Sequence, residues 1–370
     1  MRPAARRQVK GLALGHFLPP LVVHALAAGS VVPSVVFVLV SLGVILLGAE
    51  TFTNAVEWLG IKLGVSQGAV GSVLAAVGTA LPETMIPIIA ILFVGGGDSH
   101  EVGIGAILGA PFLLSTAAFA ITGLGVIYFQ DRRRTRSEMH LDPVVIRRDL
   151  GFFFVVYLLA ILSSFIEVDP VRHGVAFVLV ALYAYYVIRT FAHQGETEAT
   201  EEEVHPLYVH RFTWGIGRPP LALVVLQLAA ALALIIVGAQ VFVVNLEDIS
   251  HEVGVPALAL ALIIAPLATE LPEKFNSIIW VRQGKDTLAM GNISGAMVFQ
   301  SCIPAAIGIS FTSWHLDETA LVSAAIALVS AGIVYLSIRQ MGRLSATVLA
   351  RSGLFWVGFV GYVAVKIAIS

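Results

Sequence analysis

The sequence predicts an all-α integral membrane protein, and three observations lead to this fold class. Of its 370 residues, 58% are hydrophobic and only 12% are charged, whereas a soluble domain carries about 25% charged residues. The mean hydropathy is +0.90. Apolar runs near the ~20 residues that cross a bilayer recur along the chain. The chain therefore lacks the polar surface that water requires, and it is expected to lie in lipid.

The N-terminal segment, residues 1–32, fits two interpretations. Basic residues, among them Arg6 and Arg7, precede a short apolar stretch at 12–23 that contains paired prolines. This arrangement resembles a signal peptide, and an uncleaved extra helix fits it equally well. Both alternatives stay open.

Ten membrane spans are predicted beyond this segment. They form a first five-helix repeat at 33–191 and a second at 219–370, joined by a linker at 192–218. Each span is near the ~20 residues that cross hydrocarbon. The predicted spans are 33–58, 66–94, 101–128, 149–167, 171–191, 219–246, 255–280, 287–312, 319–338 and 344–368.

Loop charges predict the orientation of these spans. Six arginines lie between spans three and four, and two basic residues lie in each of the loops seven–eight and nine–ten. The alternate loops are acidic or neutral, so the basic loops are expected to be cytoplasmic. The linker falls on the same side, and its glutamates between 196 and 203 are expected to form a solvated acidic stretch. The predicted location is the plasma membrane, namely a bacterial inner membrane.

One short motif occurs in both halves, as VGTALPE at 77–83 and as LATELPE at 267–273. Each copy places a proline and a carboxylate inside an apolar run, where both are costly and indicate function. Each proline frees the carbonyl four residues earlier, that of Gly78 or Ala268. Carbonyl, hydroxyl and carboxylate oxygens are the ligands that hard cations prefer, which predicts a cation site at mid-membrane. The side-chain donors are Thr79, Glu83, Thr269 and Glu273.

The two halves keep a constant register around this motif. The segment GAETF at 48–52 matches GAQVF at 238–242, and 238 − 48 equals 273 − 83, which is 190. After the motif, GAILGA at 105–110 matches GNISGA at 291–296 with an offset of 186, and its glycines are expected to allow close helix packing. Because five spans are an odd number, the second copy enters from the opposite face, which makes the repeat inverted. Broken helices would then meet at the midplane, as in alternating-access transporters.

At these residues the chain resembles the cation/calcium exchanger superfamily, the sodium/calcium exchanger membrane-region family. The family signature is Gly-Thr-Ser-Leu-Pro-Glu in each of two inverted repeats, followed by Gly-Asn-x-x-Gly-Ser-Asn in the next helix. The likeness covers about residues 33–368. It implies an antiporter that exchanges Ca²⁺, or a related divalent cation, for Na⁺ or H⁺. It also implies that the two glutamates and neighbouring hydroxyls hold the cations, roles that fall here on Thr79, Glu83, Thr269 and Glu273.

Several positions depart from the family pattern. The motif serines are replaced by Ala80 and Glu270, and the Ser-Asn pair is lost in both halves. Glu270 adds a third carboxylate one turn before Glu273. Three buried carboxylates within reach of one another cannot all stay ionised without a cation, which favours proton coupling more than the family pattern does. Of the Gly-Asn element, Asn292 remains, while its first-half counterpart is Ala106. The candidate replacement ligands lie in the second half and are Asn276, Ser277, Gln300 and Ser301.

Two other functions stay open, a cation channel on the same scaffold and a non-transporting sensing or structural relative. An enzyme, such as an intramembrane hydrolase that uses paired carboxylates and a water, is not expected, because nothing in such an enzyme would explain the inverted duplication. HExxH, CxxC and phosphate-loop patterns are absent from the sequence. No resident cofactor and no nucleic-acid partner are expected, so the partners are the transported cations and membrane lipid. The driving ion and the oligomeric state stay open. Tryptophans near span ends, such as Trp280 and Trp314, are expected in interfacial belts.

Overall fold

The computed structural model describes residues 31–62, 81–191, 206–212, 219–341 and 343–369. Helices account for nearly all of this part of the chain. They are α1 (Val31–Lys62), α2 (Leu81–Ile88), α3 (Gly97–Leu113), α4 (Phe119–Tyr128), α5 (Pro143–Leu162), α6 (Asp169–Phe191), α7 (Tyr208–Phe212), α8 (Leu221–Val253), α9 (Ala257–Arg282), α10 (Asp286–Phe311), α11 (Glu318–Met341) and α12 (Ala346–Ile369). Two short strands, β1 (Glu138–Met139) and β2 (Leu344–Ser345), pair in antiparallel fashion.

Helices occupy each predicted span, as far as the described residues reach; for the span at 66–94 they begin at residue 81. Within these residues, seven helical segments are long and apolar enough to cross a membrane. Shorter apolar stretches lie at Glu83–Val94 and Ala257–Glu270. Helix α5 falls outside the seven because Arg147, Arg148 and Asp149 lie in its first turns. An all-helical, multi-pass membrane fold is therefore confirmed, while residues 1–30 lie outside the described part.

The predicted break at Pro272 is wrong, because α9 continues through this residue as one helix. Neighbouring helices in a membrane bundle can satisfy the backbone groups that a proline frees. The helices change form elsewhere. A π-helical turn, Ile89–Val94, follows Pro87, and a second, Leu114–Ala118, follows Pro111. Proline and π-turns together are a recognised cause of altered helix direction.

Helices α1 and α8 pack closely through two glycines. A Cβ added to Gly48 would lie 2.8 Å from Ile235 Cγ1, and one added to Gly238 would lie 2.8 Å from Ile45 Cγ1. The two contacts exchange under the repeat offset, since 45 + 190 = 235 and 48 + 190 = 238. The contact is therefore reciprocal, as residues related by a two-fold axis produce.

Helices α3 and α9 also approach closely. A methyl group at Gly105 or Gly109 would collide with the carbonyl oxygens of Leu258 and Leu262, respectively. The expected packing role of these two glycines is confirmed. Their small size brings α9, which carries Glu270, directly against the first half of the chain.

The three basic loops gather at one end of the bundle. Arg133 and Asp286 form an ion pair at 2.6 Å, with each side chain 1% exposed. Strand β1 belongs to the loop between α4 and α5, and β2 to the loop between α11 and α12. Arg343 and Glu138 join these two loops again at 2.8 Å. Their proximity agrees with the prediction that the three loops share one side of the membrane.

Trp314 is not an interfacial belt residue, so that prediction is wrong. Its side chain is fully buried, and its indole Nε1 donates a hydrogen bond to the Ala160 carbonyl at 2.9 Å. Its φ of +46° turns the chain back after α10. The ring packs over Gly308, where the absence of a side chain makes room for it.

Part of the linker is docked on the membrane helices rather than solvated. Leu207 is 1% exposed. The Tyr208 N–H donates to Asn54 Oδ1 at 3.2 Å, and the Val209 N–H donates to Gln227 Oε1 at 2.9 Å. The segment 206–212 therefore bridges α1 and α8, while the glutamates at 196–203 lie outside the described residues.

Candidate functional site

The first motif carboxylate, Glu83, lies at the start of the described part of α2. It is 6% exposed. Helix α2 packs against α3, α8, α9 and α10, which surround it with protein. Gly78 and Thr79 lie outside the described residues, so their ligand roles stay predictions.

The second motif brings two predicted site residues into contact. Glu270 on α9 is 1% exposed and Gln300 on α10 is 2% exposed. Gln300 Nε2 donates to Glu270 Oε1 over 3.5 Å. This distance is long for a hydrogen bond. The Gln300 amide group nevertheless lies beside the Glu270 carboxylate.

Two of the predicted hydroxyl ligands, Thr269 and Ser301, are bonded to their own helices. Thr269 Oγ1 donates to the Ala265 carbonyl at 3.1 Å, and Ser301 Oγ donates to the Met297 carbonyl at 2.7 Å. A hydroxyl that donates its proton keeps lone pairs that can accept. Both oxygens therefore stay chemically able to bind a cation.

The remaining predicted residues are only partly defined. Ala268 on α9 and Asn292 on α10 are half-buried. At Glu273 and Asn276 the backbone is helical, and the side chains lie outside the described part. In that described part, no three acidic, histidine or cysteine side chains are grouped so that they could hold a metal ion. A cation would need hydroxyl, amide and carbonyl oxygens beside the carboxylates, a ligand mixture that Ca²⁺ accepts.

The electrostatics of the site follow from the burial of Glu83 and Glu270. An ionised carboxylate in an apolar interior is costly unless an opposite charge or hydrogen bonds compensate it. A cation or a proton can provide that compensation. The burial of these two carboxylates is therefore compatible with a site that exchanges a cation for a proton.

The buried carboxylate of Asp149 was not predicted from the sequence. Asp149 on α5 is 2% exposed and accepts a hydrogen bond from Ser294 Oγ on α10 at 2.9 Å. It lies outside both motif copies. Because Arg147 and Arg148 precede it, Asp149 was interpreted as part of the polar end of a span. A carboxylate directly before an apolar run could nevertheless have indicated a buried acid.

A family profile described as "Sodium/calcium exchanger protein" matches residues 33–192 and 223–367. The chain belongs to this exchanger family. The matched segments contain both motif copies and leave out most of the linker, which agrees with the resemblance drawn from the motifs.

Two protein relatives show how far the exchanger family likeness extends. CaxA of Alkalimonas amylolytica is 23% identical over 354 residues, which cover 88% of this chain and 96% of CaxA. The inner membrane protein YrbG of Escherichia coli (strain K12) is 23% identical over 282 residues, which cover 76% of this chain and 81% of YrbG.

A solved structure supports the fold of this exchanger family member. The crystal structure of the H⁺/Ca²⁺ exchanger CAX superposes with a TM-score of 0.66 at 18% identity. The match covers 94% of this chain and 90% of that one. At this identity the likeness concerns the fold.

Proposed function

We propose that this chain is a secondary active antiporter that exchanges Ca²⁺, or a related divalent cation, for Na⁺ or H⁺ by alternating access. The observation that carries the proposal is the burial of Glu83 and Glu270 on helices of an exchanger-family fold. Carboxylates buried within a membrane protein typically mark ion pathways. The exchange moves ions and requires no covalent chemistry.

The proposed architecture is ten spans in two inverted five-helix halves. Helices at each predicted position support the number of spans. The reciprocal contact of Gly48 and Gly238 supports a two-fold relation between the halves. In transporters of this kind the substrate site lies near the midplane, where the halves meet.

The ligand set proposed for the cation comes from both halves. Glu83, Glu270 and Glu273 supply charge, and Thr79 and Thr269 supply hydroxyl oxygens. Carbonyl and amide oxygens complete the shell; these come from Gly78, Ala268, Asn276, Asn292 and Gln300, with the Ser301 hydroxyl beside them. Such a mixed oxygen shell suits Ca²⁺.

Proton coupling is favoured by Glu270. This residue replaces a family serine, so a group that can carry a proton stands where the family has a hydroxyl. Its contact with Gln300 supports a role at the site rather than in the surrounding packing. The fold likeness to a protein named as an H⁺/Ca²⁺ exchanger agrees with this choice.

The proposed location is a bacterial inner membrane. The likeness to an inner membrane protein of Escherichia coli supports it. The three basic loops that meet through Arg133, Asp286 and β1–β2 would then face the cytoplasm.

The proposal is tested by ⁴⁵Ca²⁺ uptake into proteoliposomes, with Na⁺ and pH gradients imposed separately. We expect uptake against the Ca²⁺ gradient, driven by the pH gradient. Glu83→Gln and Glu270→Gln should each reduce the initial rate by about tenfold or more, because each removes a buried charge that faces the cation. Glu318→Gln is the matched control, since this exposed carboxylate pairs with Lys366 at the protein surface.

The same assay separates the alternatives. A channel would only dissipate the Ca²⁺ gradient, and a non-transporting relative would give no uptake under either gradient. Glu270→Ser restores the family residue and should increase dependence on Na⁺. Unchanged ion coupling in Glu270→Ser would remove the role given to this carboxylate.

A further inference from the structure

A polar cluster centred on Asp149, which is not among the proposed cation ligands, ties three helices together. Asp149 on α5 accepts hydrogen bonds from Ser294 Oγ on α10 at 2.9 Å and from the Tyr186 hydroxyl on α6 at 3.0 Å. Arg148 Nη2 reaches the same carboxylate at 2.9 Å. Ser294 is fully buried, and Asp149 is 2% exposed.

A buried carboxylate cluster of this kind is weak evidence for a stabilising role. Replacing a buried ion pair by well-packed apolar residues is often neutral or stabilising. Helix α10 packs on α5 and α6. Ile293 and Met297 of α10 are fully buried and belong to the same hydrophobic cluster as apolar residues of α5 and α6. Packing between these helices therefore does not require Asp149. A role in setting the rotation of α10 about its axis is the better explanation.

Ser294 is placed to fix the rotation of α10 about its axis. At about 100° per residue, Gln300 lies roughly 120° around the helix from Ser294, and Asn292 lies roughly 160° from it. When Ser294 is held against α5, Gln300 and Asn292 therefore face away from α5. Gln300 is aimed at Glu270, which it contacts at 3.5 Å.

The first half of the chain has no equivalent tie at this position. The repeat offset of 186 relates Ser294 to Leu108, since 294 − 186 = 108. Leu108 is 1% exposed and apolar, so it cannot donate a hydrogen bond. The tie thus accompanies the half that also carries Gln300 and Asn292, and it is absent at the matching position of the half that lacks them.

We propose that Asp149 is a positioning residue for the cation site. Through Ser294 and Tyr186 it sets the rotation of α10, and this rotation sets the distance between Gln300 and Glu270. Asp149 itself does not touch the cation. The proposal rests on the proposed function, because it assigns a cation to Glu270 and Gln300.

The test compares Ser294→Thr with Ser294→Val. These side chains have nearly the same shape, but only threonine keeps the hydroxyl that donates to Asp149. We measure equilibrium ⁴⁵Ca²⁺ binding to the purified protein, the KM and maximal rate of uptake, and the melting temperature. Ser323→Ala controls for loss of a buried serine, since Ser323 bonds only within α11 in the described contacts.

Ser294→Thr should resemble the wild type, whereas Ser294→Val should raise Kd and KM about tenfold, as loss of a supporting partner of a metal ligand typically does. The maximal rate should stay within about twofold of the wild type, and melting should match Ser294→Thr. Tyr186→Phe should shift Kd in the same direction.

Three results overturn the proposal. Equal Kd values for the threonine and valine variants would remove the role of the hydroxyl. A parallel fall in melting temperature and maximal rate for valine alone would make the cluster structural. Failure of the wild type to bind ⁴⁵Ca²⁺ would overturn the cation site together with this role. Binding by the wild type without uptake would instead overturn antiport alone, while the comparison of Kd values would still decide the role of Asp149.

Discussion

At the scale of single residues, Trp314 shows how a local turn can reverse an expectation. Its position just after an apolar run is typical of a membrane-interface tryptophan. The positive φ of +46° instead returns the chain toward the bundle. The indole then lies over Gly308 and donates to the Ala160 carbonyl. A buried indole N–H usually finds such a partner.

Gly308→Ala should therefore destabilise the protein. The new Cβ would lie 2.9 Å from Trp314 Cε3 and 2.9 Å from Ile107 Cδ1, which is overpacking. Overpacking typically costs about 1–3 kcal/mol. The melting temperature of the purified protein should fall for Gly308→Ala and not for Gly358→Ala, because nothing lies within 4 Å of a Cβ at Gly358. Equal melting of the two variants would contradict the packing of Trp314.

At this scale the sequence predicted the burial of Glu83 and Glu270, because carboxylates within membrane-spanning apolar runs almost always face the protein interior rather than lipid. It did not predict the Asp149 cluster. Hydrogen bonds from Ser294 and Tyr186 depend on how α5, α6 and α10 are rotated. These helices are apolar nearly all round, so their sequences show little of the periodicity that reveals which face is buried. The hydroxyls of Thr269 and Ser301 illustrate the same limit, since a spacing can suggest a ligand but cannot identify its partner.

At the scale of helices, the contact of α1 with α8 is reciprocal between the two repeats. Gly48→Ala and Gly238→Ala should lower the melting temperature by similar amounts, because each new methyl meets an equivalent isoleucine at 2.8 Å. Each overpacking change should cost about 1–3 kcal/mol. Gly43→Ala, on the same helix as Gly48, has nothing within 4 Å and is the matched control. Clearly unequal effects at Gly48 and Gly238 would argue against the two-fold relation.

The positions of the helices were predictable from the lengths of apolar runs, and their interruptions were not. Pro272 led to an expected break, yet α9 continues through it. The π-turns follow Pro87 and Pro111 instead. Whether a proline interrupts a helix depends on neighbouring groups that can form hydrogen bonds with the backbone atoms that the proline frees. These neighbours come from distant parts of the chain.

At the scale of the whole molecule, loop charge predicts which end of the bundle faces the cytoplasm. Asp169 is the first residue of α6, and its side chain is 68% exposed. Arg343 precedes α12, and its side chain is 64% exposed. In a Cys302→Ala background, a membrane-impermeant maleimide should label Asp169→Cys in intact cells. It should label Arg343→Cys only in inverted vesicles. Labelling of both from one side would contradict the span count or the orientation.

The ion pair of Arg133 with Asp286 constrains how the polypeptide can be assembled during translation. The two residues are 153 positions apart, so the arginine leaves the ribosome long before its counter-ion. Strand β1 can pair only later still, because its partner strand β2, which contains Leu344, is made just before the last helix. An N-terminal half of the protein would lack Asp286 and leave Arg133 without this counter-ion, although the Arg133 side chain is only 1% exposed in the complete protein. Co-expression of the two halves is therefore the minimal route to a split form of this protein.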